Sequence, residues 1–202
     1  MSPIPSDKTN KRERILAAAK SVFAEKGFAG AAVADIATRA DIGKGTVYEY
    51  YKSKEDLFFA VFEWFIEQGA AAAKVEIAVL GRSVSERLAA LSASIINQWA
   101  ELKGEFALVM EFWAASSSSQ GRDRFRQAFR NLYGHYRSIV AALLREGMAR
   151  GEYRGDLASE SIAAALVGAW DAMFLQAWFD DDFDLYRVSR DFTELLIRGL
   201  RA

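Results

Sequence analysis

No proline follows Pro5, so nothing in the remainder of this 202-residue chain forbids a helix. The strong punctuation is left to glycines and polar clusters: Gly27, Gly30, Gly43, Gly81, Gly104, and the stretches 116–121, 151–155 and 180–182. Between them apolar residues recur at helical spacing, and no apolar/polar alternation is bounded by hairpin turns. The expectation is an all-α protein of about nine helices.

The first helix is predicted over 10–26, with Ile15, Leu16, Ala19, Val22 and Phe23 on one face, a stop at Gly27, and Phe28 folding back onto that face. A fourth helix starts at Ser53, whose hydroxyl can cap backbone N–H groups while Glu55 and Asp56 meet the positive end of the dipole. It should continue to about Leu80, long enough to join a head to a body. Ser83-Val84-Ser85-Glu86 is a capping box opening a fifth helix to about Leu102. Four more are expected over 105–115, 122–150, 157–179 and 184–201. The implied division is a disordered tail (1–9), a three-helix head (10–53) and a larger helical body (54–202).

Composition narrows the chemistry. An apolar content of 51% supports a substantial core, while the absence of cysteine and a single histidine remove disulfides, zinc-thiolate sites and His-based metal sites. No metal or cofactor is expected. No run of eighteen apolar residues and no apolar N-terminal stretch ahead of the first charges is found, so the expectation is a cytoplasmic protein without a membrane partner. Charge is uneven: residues 8–54 carry ten basic and five acidic side chains, residues 55–202 sixteen and twenty-one. A basic head on an acidic body directs a polyanion to the head.

Within the head, residues 35–51 read as two short helices around a tight turn at Asp41 to Gly43. The first can bury Ile36, Ala37 and Ala40; the second can bury Val47 and Tyr51, which are i,i+4 neighbours. Lys44 and Tyr48, also i,i+4, are left facing outward toward a duplex groove. Gly43 serves as N-cap, placing Lys44, Gly45 and Thr46 in the first turn of a recognition helix, the part that reaches base edges. Glu49 either points into solvent or accepts from a cytosine amino group.

These features converge on a known pattern. Ile15-Leu16-Ala17-Ala18-Ala19, Phe23-Ala24-Glu25-Lys26-Gly27-Phe28, Val33-Ala34-Asp35-Ile36-Ala37, Lys44-Gly45-Thr46-Val47-Tyr48 and Ser53-Lys54-Glu55-Asp56-Leu57 together resemble the DNA-binding domain of TetR-family transcriptional regulators. The resemblance covers residues 14–62. It implies a helix-turn-helix head, a variable helical body that binds a small ligand, and a homodimer on a palindromic operator of double-stranded DNA. It also puts Tyr50 and Lys54 where the family touches the phosphate backbone. Two positions depart from the pattern: Ala32 stands where threonine often caps the second helix, and Glu49 replaces a residue that is commonly neutral or aromatic.

The body is rich in large side chains, and aromatic stripes at helical spacing serve either as core or as ligand contacts. Given the cavity that the resemblance implies, the ligand-binding candidates are Trp99, Met110, Trp113, His135, Trp170 and Phe174. Two carboxylates embedded in apolar runs join them, Glu111 and Asp171; either one facing a cavity would call for a cationic or hydrogen-bonding ligand. The eighth helix is apolar almost all round, and Ala164, Gly168 and Ala172 form a smooth strip along it. With Val167 and Leu175, and with Phe192, Leu195, Leu196 and Gly199 of the ninth helix, they are the expected dimer interface.

The resulting expectation is a ligand-responsive repressor released by a small, largely apolar or aromatic effector. An architectural DNA-binding protein without an effector is one alternative. A helical-bundle enzyme using Glu111, His135 and Asp171 as acid–base groups is the other, remote one, and no catalytic residue is assigned.

Overall fold

The computed structural model describes residues 7–79, 83–101, 103–118 and 121–201. Most of the tail expected over 1–9, and the helix ends expected at Leu80 and Leu102, lie outside the described residues. Those described form nine α-helices: α1 (Asp7–Gly30), α2 (Val33–Arg39), α3 (Lys44–Tyr50), α4 (Lys54–Val79), α5 (Val84–Glu101), α6 (Phe106–Ser118), α7 (Arg122–Ala149), α8 (Ser159–Phe179) and α9 (Leu185–Leu200). A 3-10 turn, Lys103–Glu105, precedes α6, and β-type pairing is limited among these residues to an isolated bridge between Tyr153 and Arg201.

The local signals act where the sequence puts them. Gly27 breaks α1 with φ +67°, a value that costs a residue without Cβ little. Asp56 N–H donates to Ser53 Oγ at 3.0 Å at the start of α4. At α5 the capping box closes reciprocally, Ser83 N–H donating to Glu86 at 3.0 Å and Glu86 N–H to Ser83 Oγ at 3.1 Å.

The chain divides into two compact units. The first comprises the residues up to Glu67 together with Glu105–Ala128, so it is larger than the head expected over 10–53. The reason is an aromatic cluster: Phe58 of α4 packs on Phe112 of α6 at 4.9 Å and on Phe125 of α7 at 5.8 Å, and Phe62 packs on Phe112 at 5.0 Å. Ile15, Leu16, Phe23, Ile36, Val47, Leu57 and Val61 are buried with them.

The second unit holds residues 68–104 and 129–202. Leu88, Leu91, Ile95 and Ile96 of α5 share a core with Val140 and Leu144 of α7, Leu166 and Trp170 of α8, and Ile197 and Leu200 of α9. Glu152 closes the N-terminus of α5, accepting from Val84 N–H at 2.9 Å, and Arg87 pairs with Glu146 at 2.8 Å. By length and composition α8 could cross a membrane, which uninterrupted apolar runs had not signalled. Its Ala163, Leu166, Val167, Trp170, Met173, Phe174 and Ala177 are instead buried in this unit's core.

Candidate functional site

The helix-turn-helix is built as its pattern requires. Asp41 takes φ +52° in the turn, Gly43 is an extended N-cap, and Val47 is buried to 1% exposure, fixing the roll of α3. Lys44, Gly45, Tyr48 and Glu49 are exposed, and Thr46 and Tyr50 are half-buried. Lys44 Nζ lies 5.9 Å from the Tyr48 ring, so a cation and an aromatic edge project together from one face. Tyr51 turns inward, and burial raises its hydroxyl pKa.

Several basic residues counted in the head have internal duties. Arg14 donates to Ala40 O at 2.6 Å and Asp41 O at 3.1 Å, bracing the turn. Arg39 pairs with Glu25 through two contacts of 2.6 and 2.8 Å, and Lys26 with Asp35 at 2.6 Å. These hydrogen bonds lower the carboxyl pKa of Glu25 and of Asp35. Lys54, expected at the phosphate backbone, donates to Phe28 O at 2.8 Å and Ala31 O at 3.0 Å. No local pattern could have announced that contact, which spans more than twenty residues of chain.

The ligand-binding candidates fall into both units. In the first, Met110 and Trp113 are half-buried on α6, while Glu111 accepts from Phe28 N–H at 2.6 Å and is thereby committed to the α1–α2 turn. In the second, Trp99 and Phe174 meet edge to face at 4.7 Å. Trp170 is buried in the core, and its Nε1 has no partner among the described residues. Burial pushes the Asp171 carboxyl up to about 6 against the opposing pull of the Tyr133 hydroxyl. The Tyr133 hydroxyl is itself raised, by burial and then by the Asp171 charge. His135 is exposed, its ring 5.7 Å from that of Tyr136. A half-open cleft of about 360 Å³ between α5 and α9, walled by Ala89, Ala93, Ile96, Tyr186, Thr193 and Ile197, contains none of the candidates.

Residues 15–61 match the model of the bacterial regulatory proteins of the tetR family. The head is thus a DNA-binding domain of the tetR type. The fatty acid metabolism regulator protein of Bacillus subtilis (strain 168) is 26% identical over 197 residues, 96% of this chain and 97% of the relative. The HTH-type transcriptional repressor DhaR of Mycobacterium sp. (strain GP1) is 25% identical over 169 residues, 84% of this chain and 83% of the relative. Among solved structures, the regulator FadR from Bacillus subtilis in complex with stearoyl-CoA superposes with a TM-score of 0.72 at 26% identity, covering 94% of this chain and 99% of that one. The match extends well beyond the head, and the chain is a helix-turn-helix transcriptional regulator.

In the second unit, one face of α8 carries exposed Ala164, Gly168 and Ala172, and a Cβ placed on Gly168 would meet nothing within 4 Å. Leu195 of α9 is 68% exposed, Gly199 is exposed, and Leu175, Phe192 and Leu196 are half-buried. Val167 differs: at 4% exposure it faces the core beside Leu166 rather than the strip. Phe179, which the sequence did not single out, is 75% exposed at the end of α8.

Proposed function

We propose that this TetR-family regulator is a cytoplasmic homodimeric repressor that places two copies of α3 in successive major grooves of a palindromic operator and is released by a small, largely apolar effector. The observation that carries the reading is the pairing of a buried Val47 with exposed Lys44 and Tyr48 on a seven-residue helix. One side of α3 is anchored, so the other is presented at a fixed angle. Gly45 lets the backbone approach base edges, and Thr46, Glu49 and Tyr50 complete the groove-facing set.

The uncovered strip of Ala164, Gly168 and Ala172, with Leu195, supports self-association, since large apolar side chains and small residues at one surface favour close helix packing. Trp99, Phe174 and Asp171 in the second unit support an effector with an apolar body and one polar group. The stearoyl-CoA bound by the Bacillus subtilis FadR shares the apolar body in its acyl chain, though its coenzyme A portion is highly polar. Effector binding would act through a differential affinity for the two operator-binding geometries, typically about 1–3 kcal/mol of coupling.

Sedimentation at micromolar concentration, followed by a gel shift with a duplex selected from a random pool, tests the reading. A dimer that enriches a palindrome with half-sites roughly 34–36 Å apart, or somewhat more, is the expected result. A monomer, or a protein that enriches no sequence, contradicts it.

A further inference from the structure

One residue at the end of α1 is held from three directions. The Phe28 N–H donates to Glu111 Oε2 of α6 at 2.6 Å. Its C=O accepts from Lys54 Nζ of α4 at 2.8 Å, and the same ammonium sits 4.6 Å over its ring. Lys54 reaches further along the turn to Ala31 O at 3.0 Å. The glycine beside it completes the fit: a Cβ on Gly27 would lie 2.7 Å from Glu111 Oε1, at a φ of +67°.

The turn so held leads directly into α2, whose N-cap, Ala32, offers no side-chain hydrogen bond. In a helix capped by threonine or serine the entry angle is fixed locally. Locally the entry has only backbone bonds, such as Ala31 N–H on Gly27 O at 3.1 Å, and the Asp35 carboxylate at the Ala32 backbone. The side-chain restraints from distant stretches of chain are the Glu111 carboxylate on the Phe28 N–H and the Lys54 ammonium on the carbonyls of Phe28, Ala29 and Ala31. The helices α1 and α2 pack on one another, and α3 packs on α2, so the course of this turn sets where α3 points.

We propose that Glu111 and Lys54 form a clamp on Phe28 that stands in for the missing α2 cap, and that both are positioning residues for operator binding. The proposal rests on the DNA-binding reading above. It assigns Glu111 a role in the first unit that no ligand is needed to explain, and it makes Lys54 a holder of protein backbone rather than of phosphate.

The test uses the full chain and a fluorescent duplex enriched by the wild-type protein from a random pool, titrated between 50 and 200 mM salt, a range in which phosphate contacts register strongly. Glu111→Ala is expected to bind about tenfold more weakly, and Glu111→Gln, whose amide oxygen still accepts, within about threefold of wild type. Lys54→Met should weaken binding about tenfold with an unchanged salt slope, whereas loss of a direct phosphate contact would lower the slope by about one. The double variant Glu111→Ala/Lys54→Met should be no weaker than the worse single variant, because both act through one turn.

Amide exchange at Phe28 should accelerate in Glu111→Ala while that of the buried Ile15 and Leu16 stays at the wild-type rate. If Glu111→Ala does not fold, Glu111→Asp, which withdraws the carboxylate by one methylene, carries the same comparison. Operator affinity within twofold of wild type for a folded Glu111→Ala, or a salt slope reduced by one in Lys54→Met, overturns the proposal. A wild-type protein that enriches no duplex overturns the regulator reading as well, and so is told apart from failure of the clamp alone.

Discussion

The two units of this regulator are held together by different physics. In the first, directional polar contacts cross between helices: Arg14 on Ala40 O, Arg39 on Glu25, Lys26 on Asp35, Lys20 on Glu105 at 2.6 Å, and Arg124 on Asp56 at 2.8 Å. In the second, the interior is a broad apolar core whose polar contacts sit mainly at helix ends, and an apolar strip remains uncovered on α8 and α9. Hydrogen bonds fix angles, and apolar burial fixes proximity with little regard to direction. A unit that must present α3 to base edges needs the first kind of restraint. A unit suited to a guest or a second copy is served by the second.

The largest contrast should come from emptying the apolar core. Trp170→Ala removes a large buried side chain and should cost about 3–5 kcal/mol of stability, read as a fall in the denaturant midpoint. A loss below 1 kcal/mol would mean that the second unit is not held by that core.

Next in size, Lys44→Ala or Tyr48→Ala should cost roughly 1–3 kcal/mol of operator affinity, about 10- to 100-fold, while the melting temperature is preserved because both side chains are exposed. Gel-shift affinities unchanged in both variants would break the assignment of the groove-facing surface.

A smaller effect belongs to Asp171. The folded protein keeps its proton up to about pH 6, whereas an unfolded chain releases it near pH 4. Folding therefore takes up a proton in that window, and stability should fall as pH rises from about 4 to 6 and level off above. Asp171→Asn should flatten the profile and leave the variant up to about 2 kcal/mol more stable than wild type at neutral pH. An identical pH profile in the two proteins would show that Asp171 lies in a more hydrated setting.

What could be read in advance follows the same division. The head was legible because its signals are local: Gly27 marks a backbone requirement, Gly43 stands at the N-cap of α3, Val47 and Tyr51 share a face by spacing, and Ser53 and the Ser83–Glu86 box sit within four residues of the amides they cap. The roles of Lys54 and Glu111 were not legible, since each meets Phe28 from a distant stretch of chain and no periodicity encodes such a meeting. Val167 was assigned to the wrong side of α8 for a related reason. A helix apolar all round carries no mark of which face its own core will claim, and only packing against α5, α7 and α9 decides it. His135 and Asp171 show the limit for single polar residues, whose exposure depends on the neighbouring helices rather than on their own sequence context.

The central claim is that the exposed face of α3 enters major grooves, and protection of guanine N7 from methylation across the enriched duplex tests it most directly, because N7 lies in the major groove. The account predicts two clusters of protected guanines on one face of the duplex, about one helical turn apart or somewhat more, both lost in Lys44→Ala. Protection absent from the major groove, or retained undiminished in Lys44→Ala and Tyr48→Ala alike, would contradict it.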